Sequence, residues 1–537
     1  MSANEQKTPT VAEDNVSTNE KGVLVNADDE LLAQLGYKAE LKRNFSVTEV
    51  FGIAFSIMSL MPSIASTIQY SLLGGPVGMT WGWLIPSICI LSVGTALGEL
   101  GSALPTSGGL YWWTFRFAPK ELKRPLCFVA GYSNTLGLIG ATCSISYGFA
   151  TIVMSLPGIQ NPDFEPDAYQ TYAVFVGAVI SFGIVGSIAT SIVAKLQTFC
   201  IVLNAVAIVI TVIALPIGAK NNGDLQSAHT VFTEVQNNSG WPTGWTFFMS
   251  WMCAIWTIGA FDSCIHMAEE ASNASKAVPL GIVLSIGMCG IVGFAVMAII
   301  AACIPDYQAV MESPFGNSMT QIYYNALGRN WATGIVALLA VIQWFMGLSI
   351  VIAASRQCWA FSRDGALPFS GILRVVNYKL GVPIRALWFI CIVSILIGLL
   401  SLIGPAATDA IFSLAPASNG FAWLSPIICR AIWFKKDEFT PGPFYLGHFC
   451  SRINAFCAST YLIFAICVLS MFPNNGPDVD KNSMNYTCVI NGAVWLGSLT
   501  YYAVDARKWF TGPKTTLDEQ LIEYAEEHGG DVLHHHH

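Results

Sequence analysis

Charge is what this chain has least of. Asp, Glu, Lys and Arg make up 11% of its 537 residues, against roughly 25% in a soluble globular protein. With 53% hydrophobic residues and a mean hydropathy of +0.54, it reads as an integral membrane protein. Signatures of chemistry are missing too. No GxxxxGK[ST] stretch occurs, which excludes a P-loop pump. No Ser/His/Asp, HExxH or paired-carboxylate constellation stands out, so an enzyme is not expected. The 15 cysteines form no CxxC pair and show no zinc-type spacing with His. Most, among them Cys89, Cys200, Cys289 and Cys391, fall in apolar runs and read as small hydrophobes, so no metal or other cofactor is expected. The first forty residues are polar and carry no cleavable signal peptide. The net charge of −8 lies largely in the two tails and gives no reason to expect a nucleic acid partner.

What the chain does have is a series of apolar runs of spanning length. They fall at about 46–74, 78–100, 126–156, 171–193, 196–217, 245–268, 279–303, 331–355, 384–404, 408–433, 454–472 and 486–505, twelve in all. The expected fold is an all-α polytopic bundle. Residues 1–44 read as a disordered tail, with an amphipathic surface helix possible over Glu30–Arg43, and 506–537 as a second tail ending in a tag-like His tract. Basic residues set the orientation. With the N-terminus inside, only Lys220, Arg329 and Lys481 of the 26 Lys+Arg fall outside, so both termini are expected in the cytoplasm. Sequons at Asn237 and Asn485 would then face outward and be open to glycosylation.

Two spans carry residues that a plain anchor does not need. The sixth reads Thr257-Ile258-Gly259-Ala260-Phe261-Asp262-Ser263 at mid-depth. An acidic side chain there is costly and marks a functional site, and irregular backbone at this depth is tolerated only around a cavity. The first span carries Pro62, Ser63, Ala65 and Ser66 at its centre. Two interrupted spans, five apart, are the mark of a five-plus-five inverted repeat with the substrate at the breaks. Repeats over 45–217 and 245–433 would leave 454–505 as two extra helices.

The residues around these breaks resemble a known family. Phe51-Gly52-Ile53-Ala54-Phe55-Ser56, Pro62-Ser63-Ile64-Ala65-Ser66 and Pro105-Thr106-Ser107-Gly108-Gly109 are similar to fungal GABA permeases. So are Trp256-Thr257-Ile258-Gly259, Glu269-Glu270, Ser355-Arg356-Gln357 and Pro441-Gly442-Pro443-Phe444. The likeness runs over 30–515 and places the chain with the amino acid/choline branch of the amino acid–polyamine–organocation superfamily. That resemblance implies a leucine-transporter-like fold, a plasma or vacuolar membrane, and proton-driven import. Its partners would be a small amine-bearing solute, protons and the lipid bilayer. GABA or a related amine is the expected substrate, and an organic cation such as choline or thiamine the competitor. Gln69 and Tyr70 stand where a GABA carrier is expected to have glycines, which favours the competitor.

Individual side chains allow two readings each. Asp262 binds the substrate ammonium or a proton, or else caps a half-helix. Ser263 and Asn134 line the cavity or bond between helices. Trp256, Phe261, Tyr70 and Trp344 form an aromatic wall suited to a cation, or simply pack. Lys195 is the basic group that proton-driven relatives place near the sodium position, or it snorkels to the interface. Glu99 is a coupling residue or an interfacial carboxylate. His266 relays protons or is structural. Glu269 and Glu270 are expected to close an inner gate with nearby Arg or Lys.

Overall fold

The computed structural model describes residues 16–18, 24–41, 43, 45–161, 163–188, 190–377, 380–433, 439–470, 472–473, 476–480 and 483–514, with the side chains of 16–18, 24–27, 190–195 and 469 left out. Apart from a short antiparallel pair, Val16–Thr18 with Leu24–Asn26, the described chain is helical and irregular. Eleven helices among the described residues are long and apolar enough to cross a membrane. The helix Thr487–Val504 occupies the place of the twelfth expected span; its 18 residues include Asn491 and two tyrosines.

Two spans are interrupted, the first and the sixth. The first comprises Val47–Met58 and Leu60–Leu72, joined at Ser59 with φ 28° and ψ 74°. The interruption therefore falls before Pro62, not at it. Proline sits in the first turn of the second half-helix, where its missing N–H leaves no ladder bond unmade. Hydroxyls take up the carbonyls released there: Ser59 Oγ donates to Ser56 O and Ser63 Oγ to Met58 O, both at 2.5 Å. Asn204 Nδ2 donates to Ser59 Oγ at 2.9 Å.

The sixth span is Thr243–Met249, Met252–Ile258 and the single turn Ser263–His266, with Gly259–Asp262 between them. Gly259 N bonds Trp256 O, and Ser263 N bonds Ala260 O, so three-residue turns replace the α-helical ladder. Glycine supplies little helix propensity at the position where the ladder ends.

Helices five apart in order lie against each other. Gly75–Ala103 packs along Ala274–Ala302, Lys123–Gln160 against Ser318–Arg363, and Leu60–Leu72 against Met252–Ile258. Glycines allow the first of these contacts: a Cβ on Gly94 would lie 2.2 Å from Ile286 Cδ1, and one on Gly293 2.3 Å from the Trp83 ring. Small residues at such interfaces let helix backbones approach in lipid, where there is little hydrophobic drive to associate.

The last part of the N-terminal segment is packed. Ala27–Gln34 is helical, Asp28 accepts from Asn273 N and Ala274 N, and Tyr37 is 1% exposed. The helix stops well short of Arg43, which pairs with Asp29 at 2.8 Å. Asn485 is buried, with its amide donating to Ser470 O and Phe472 O, so that sequon is closed in the folded chain.

Candidate functional site

The sixth-span interruption opens onto a cavity of about 30 Å³, room for about two water molecules. Trp256, Thr257, Gly259, Ala260 and Asp262 line it from the break, Ile57 from the first span, Leu138 and Ile145 from the third, and Pro416 and Asn419 from the tenth. Apart from Asp262 the lining is uncharged.

Asp262 is 1% exposed. Its Oδ2 accepts from Trp423 Nε1 at 3.0 Å and from Asn134 Nδ2 at 3.4 Å. Asn134 also donates to Asn419 Oδ1 at 3.3 Å, tying the third, sixth and tenth spans into one polar knot. One turn beyond, His266 Nδ1 lies 3.2 Å from Ser107 O, a pure acceptor, so Nδ1 carries the hydrogen. Its Nε2 faces Asp262 Oδ2 at 3.7 Å, beyond hydrogen-bond reach. Thr257 Oγ1, on the cavity wall, has no hydrogen-bond partner among the described residues. A polar ligand would satisfy it.

The remaining expected residues fall in several places. Trp256 lines the cavity, bonds Ser144 Oγ and lies 5.8 Å from Phe412. The Phe261 ring packs against Trp423, with centroids 4.6 Å apart and planes tilted by 36°. Ser263 Oγ turns back to Ala260 O. Pro62 and Ser63 are buried in the second half-helix, with Ser63 Oγ also 3.6 Å from Met346 Sδ. Ala65 O accepts from Asn317, and Ser66 Oγ donates to Pro62 O. Gln69 is exposed, and Tyr70 OH reaches Asp409 at 3.4 Å. Trp344 points away from the cavity, to Ser181 Oγ and the Phe182 ring. Lys195 lies outside the residues whose side chains are described. Glu99 is a clamp remote from the cavity: it accepts from Arg430, Ser451 and the Leu446 N–H.

Trp423 is the residue that sequence reasoning missed. The available signal was its position four residues after Asn419, which puts both on one face of the tenth span.

At the end of the bundle where the Tyr37 and Lys514 segments pack, buried ion pairs follow His266 in the chain. Arg363 makes two bonds to Glu269, at 2.8 and 3.0 Å, and Arg356 Nε bonds Glu270 at 2.7 Å. Both arginines come from the eighth span. Burial pushes the Glu269 carboxyl up, but Arg363 and the donors Ser107 N and Thr106 Oγ1 outweigh it and hold the group below its usual range. Tyr37 and Tyr111 hydroxyls and the Lys514 N–H all donate to Asp364, which joins the segments around Tyr37 and Lys514 to the residue next to Arg363.

A membrane-embedded bundle with interrupted spans around a buried carboxylate is the architecture of a multi-pass carrier. Residues 45–494 match the amino acid permease family model, and the chain belongs to that family. It is 44% identical over 510 residues to the GABA-specific permease of Saccharomyces cerevisiae, covering 94% of this chain and 89% of that one. A putative polyamine transporter of Candida albicans is 30% identical over 526 residues, covering 95% and 93%. The solved manganese transporter of Eremococcus coleocola superimposes with a TM-score of 0.52 at 15% identity, over 89% of this chain and 95% of that one, a likeness of fold alone. The named relatives are transporters, not enzymes.

Proposed function

We propose that the chain is a proton-coupled importer of a small amino-group-bearing solute, GABA or a related amino acid or amine. The observation that carries this reading is the Asp262 carboxylate, buried at the sixth-span break on the wall of the central cavity. A buried carboxylate needs a cation or strong donors, and a substrate ammonium supplies both. A substrate carboxylate would turn toward the first-span interruption, beyond Ile57 of the cavity wall, where Leu60–Leu72 begins and its first N–H groups carry the positive end of the helix dipole. The likeness to the yeast GABA-specific permease points the same way.

Transport runs by alternating access around the two interruptions, with the Glu269–Arg363 and Glu270–Arg356 pairs as the cytoplasmic gate. Both termini are cytoplasmic, in keeping with the placement of the basic residues. The cavity must widen to admit a solute, so the structure stands near a closed state.

A second reading, uptake of a quaternary cation, is favoured by the aromatic rings of Trp256 and Phe412 beside the cavity. Competition decides between them. In vesicles holding the full-length protein under an imposed pH gradient, labelled GABA should enter, be displaced by related primary amines and be unaffected by choline or thiamine. Displacement by choline or thiamine alone would reverse the assignment. Lys195→Met should abolish the gradient dependence while leaving exchange intact; unchanged coupling would remove Lys195 from the proton path.

A further inference from the structure

A second cavity meets the first at Gly259. It measures about 10 Å³, lies between spans two, six, ten and eleven, and shares Ile255, Gly259 and Pro416 with the substrate cavity. Its walls are apolar except at Tyr461 and the Trp423 indole. The Tyr461 hydroxyl is buried there and has no hydrogen-bond partner among the described residues, although a buried Tyr O–H usually finds one. The eleventh span is also distorted at this level: Ala465–Leu469 is a π-turn, and Ala465 lines the cavity. Such turns are rare and are frequently found at functional sites.

Trp423 stands between the two spaces. Its Nε1 donates to Asp262, which lines the first cavity, while its ring lines the second. A Cβ on Gly259 would lie 3.6 Å from Trp423 Cη2, ordinary van der Waals contact, so the indole packs directly beside the break.

We propose that the second cavity is a side pocket of the substrate site. It takes a short uncharged branch of the bound amine, with Tyr461 as its hydrogen-bonding residue and Trp423 as the partition. The proposal rests on the reading of the first cavity as an amine site. No charged side chain lines the pocket, so a charged branch would lose its hydration there without a counter-ion. An aliphatic branch buries apolar surface, and a hydroxyl at its end meets the unpartnered Tyr461 O–H. The pocket thereby decides which substituted amines are carried.

The test uses the full-length protein in vesicles, with labelled GABA as the carried probe. Competitors are GABA analogues bearing a methyl, hydroxymethyl or isobutyl group beside the amine. Tyr461→Phe removes only the hydroxyl and should weaken the hydroxymethyl analogue at least fivefold against the methyl one. Tyr461→Ala enlarges the pocket and should improve the isobutyl analogue about tenfold. Uptake of GABA itself, per folded molecule, should stay within about twofold in both. An identical competitor ranking in all three proteins overturns the side pocket but leaves the amine site standing. Absence of saturable GABA uptake in the unaltered protein removes the amine-site reading, and the pocket with it.

Discussion

The indole of Trp423 donates to Oδ2 of Asp262 at 3.0 Å, so the tenth span holds the buried carboxylate at the break in the sixth. Hydrogen bonds to charged groups contribute about 1.5–3 kcal/mol. Trp423→Phe keeps a ring against Phe261 but removes the donor, and should raise the KM for an amine about tenfold or more. Asp262→Asn should reduce uptake far more than surface expression. Equal uptake per molecule in Asp262→Asn would exclude Asp262 from substrate binding.

The gate pairs make a separate prediction. Arg363 and Glu269 are both almost wholly buried, and removing one partner from such a pair costs about 3–5 kcal/mol because the other charge is left uncompensated. Arg363→Met should therefore lower the midpoint of thermal unfolding markedly. Adding Glu269→Gln to it should recover part of the loss. If the double variant is no more stable than the single, the two side chains are not coupled as the geometry requires.

Much of this was legible in the sequence because the lipid imposes simple rules. Span lengths, the break at Gly259 and the exceptional Asp262 all follow from the cost of polar groups in hydrocarbon. Within the first span the sequence showed a stretch with a proline and small hydroxyl residues but not the turning residue, because the chain turns at Ser59, an ordinary residue held by Asn204 and Ser56. Trp344 could not be assigned a direction, since an aromatic residue on a spanning helix packs as readily toward Ser181 and Phe182 as toward a cavity. The terminal latch was invisible for another reason: Tyr37 and Lys514 meet Asp364 only through the tertiary fold.

That latch should respond to pH. Burial raises the Asp364 carboxyl from 3.8 to about 6, against the opposing pull of Arg363, Tyr111, the Lys514 N–H and Tyr37. Glu269, which also faces Tyr37, is held below its usual range by Arg363. The docked state therefore holds a proton more tightly than an undocked one. Docking is strongest below about pH 4 and weakens as pH rises to about 6, by at most roughly 3 kcal/mol for two pKa units. Hydrogen exchange of residues 27–41 should accordingly be slower at pH 5 than at pH 7.5. Asp364→Asn, which mimics the protonated form, should remove this difference beyond the intrinsic pH effect on exchange.

Ser59 offers the sharpest test of the first interruption. Its φ of 28° lies in the region that favours glycine, where an L side chain costs about 1–2 kcal/mol. Its hydroxyl meanwhile bonds Ser56 O and accepts from Asn204 Nδ2. Ser59→Ala keeps the strain and strands both partners; Ser59→Gly strands them but relieves the strain. The glycine variant should therefore be the more stable by about 1 kcal/mol, measured by unfolding in detergent. In an uninterrupted helix the order reverses, because alanine is favoured over glycine by about 1 kcal/mol. Finding alanine the more stable would mean that the first span runs unbroken through this point.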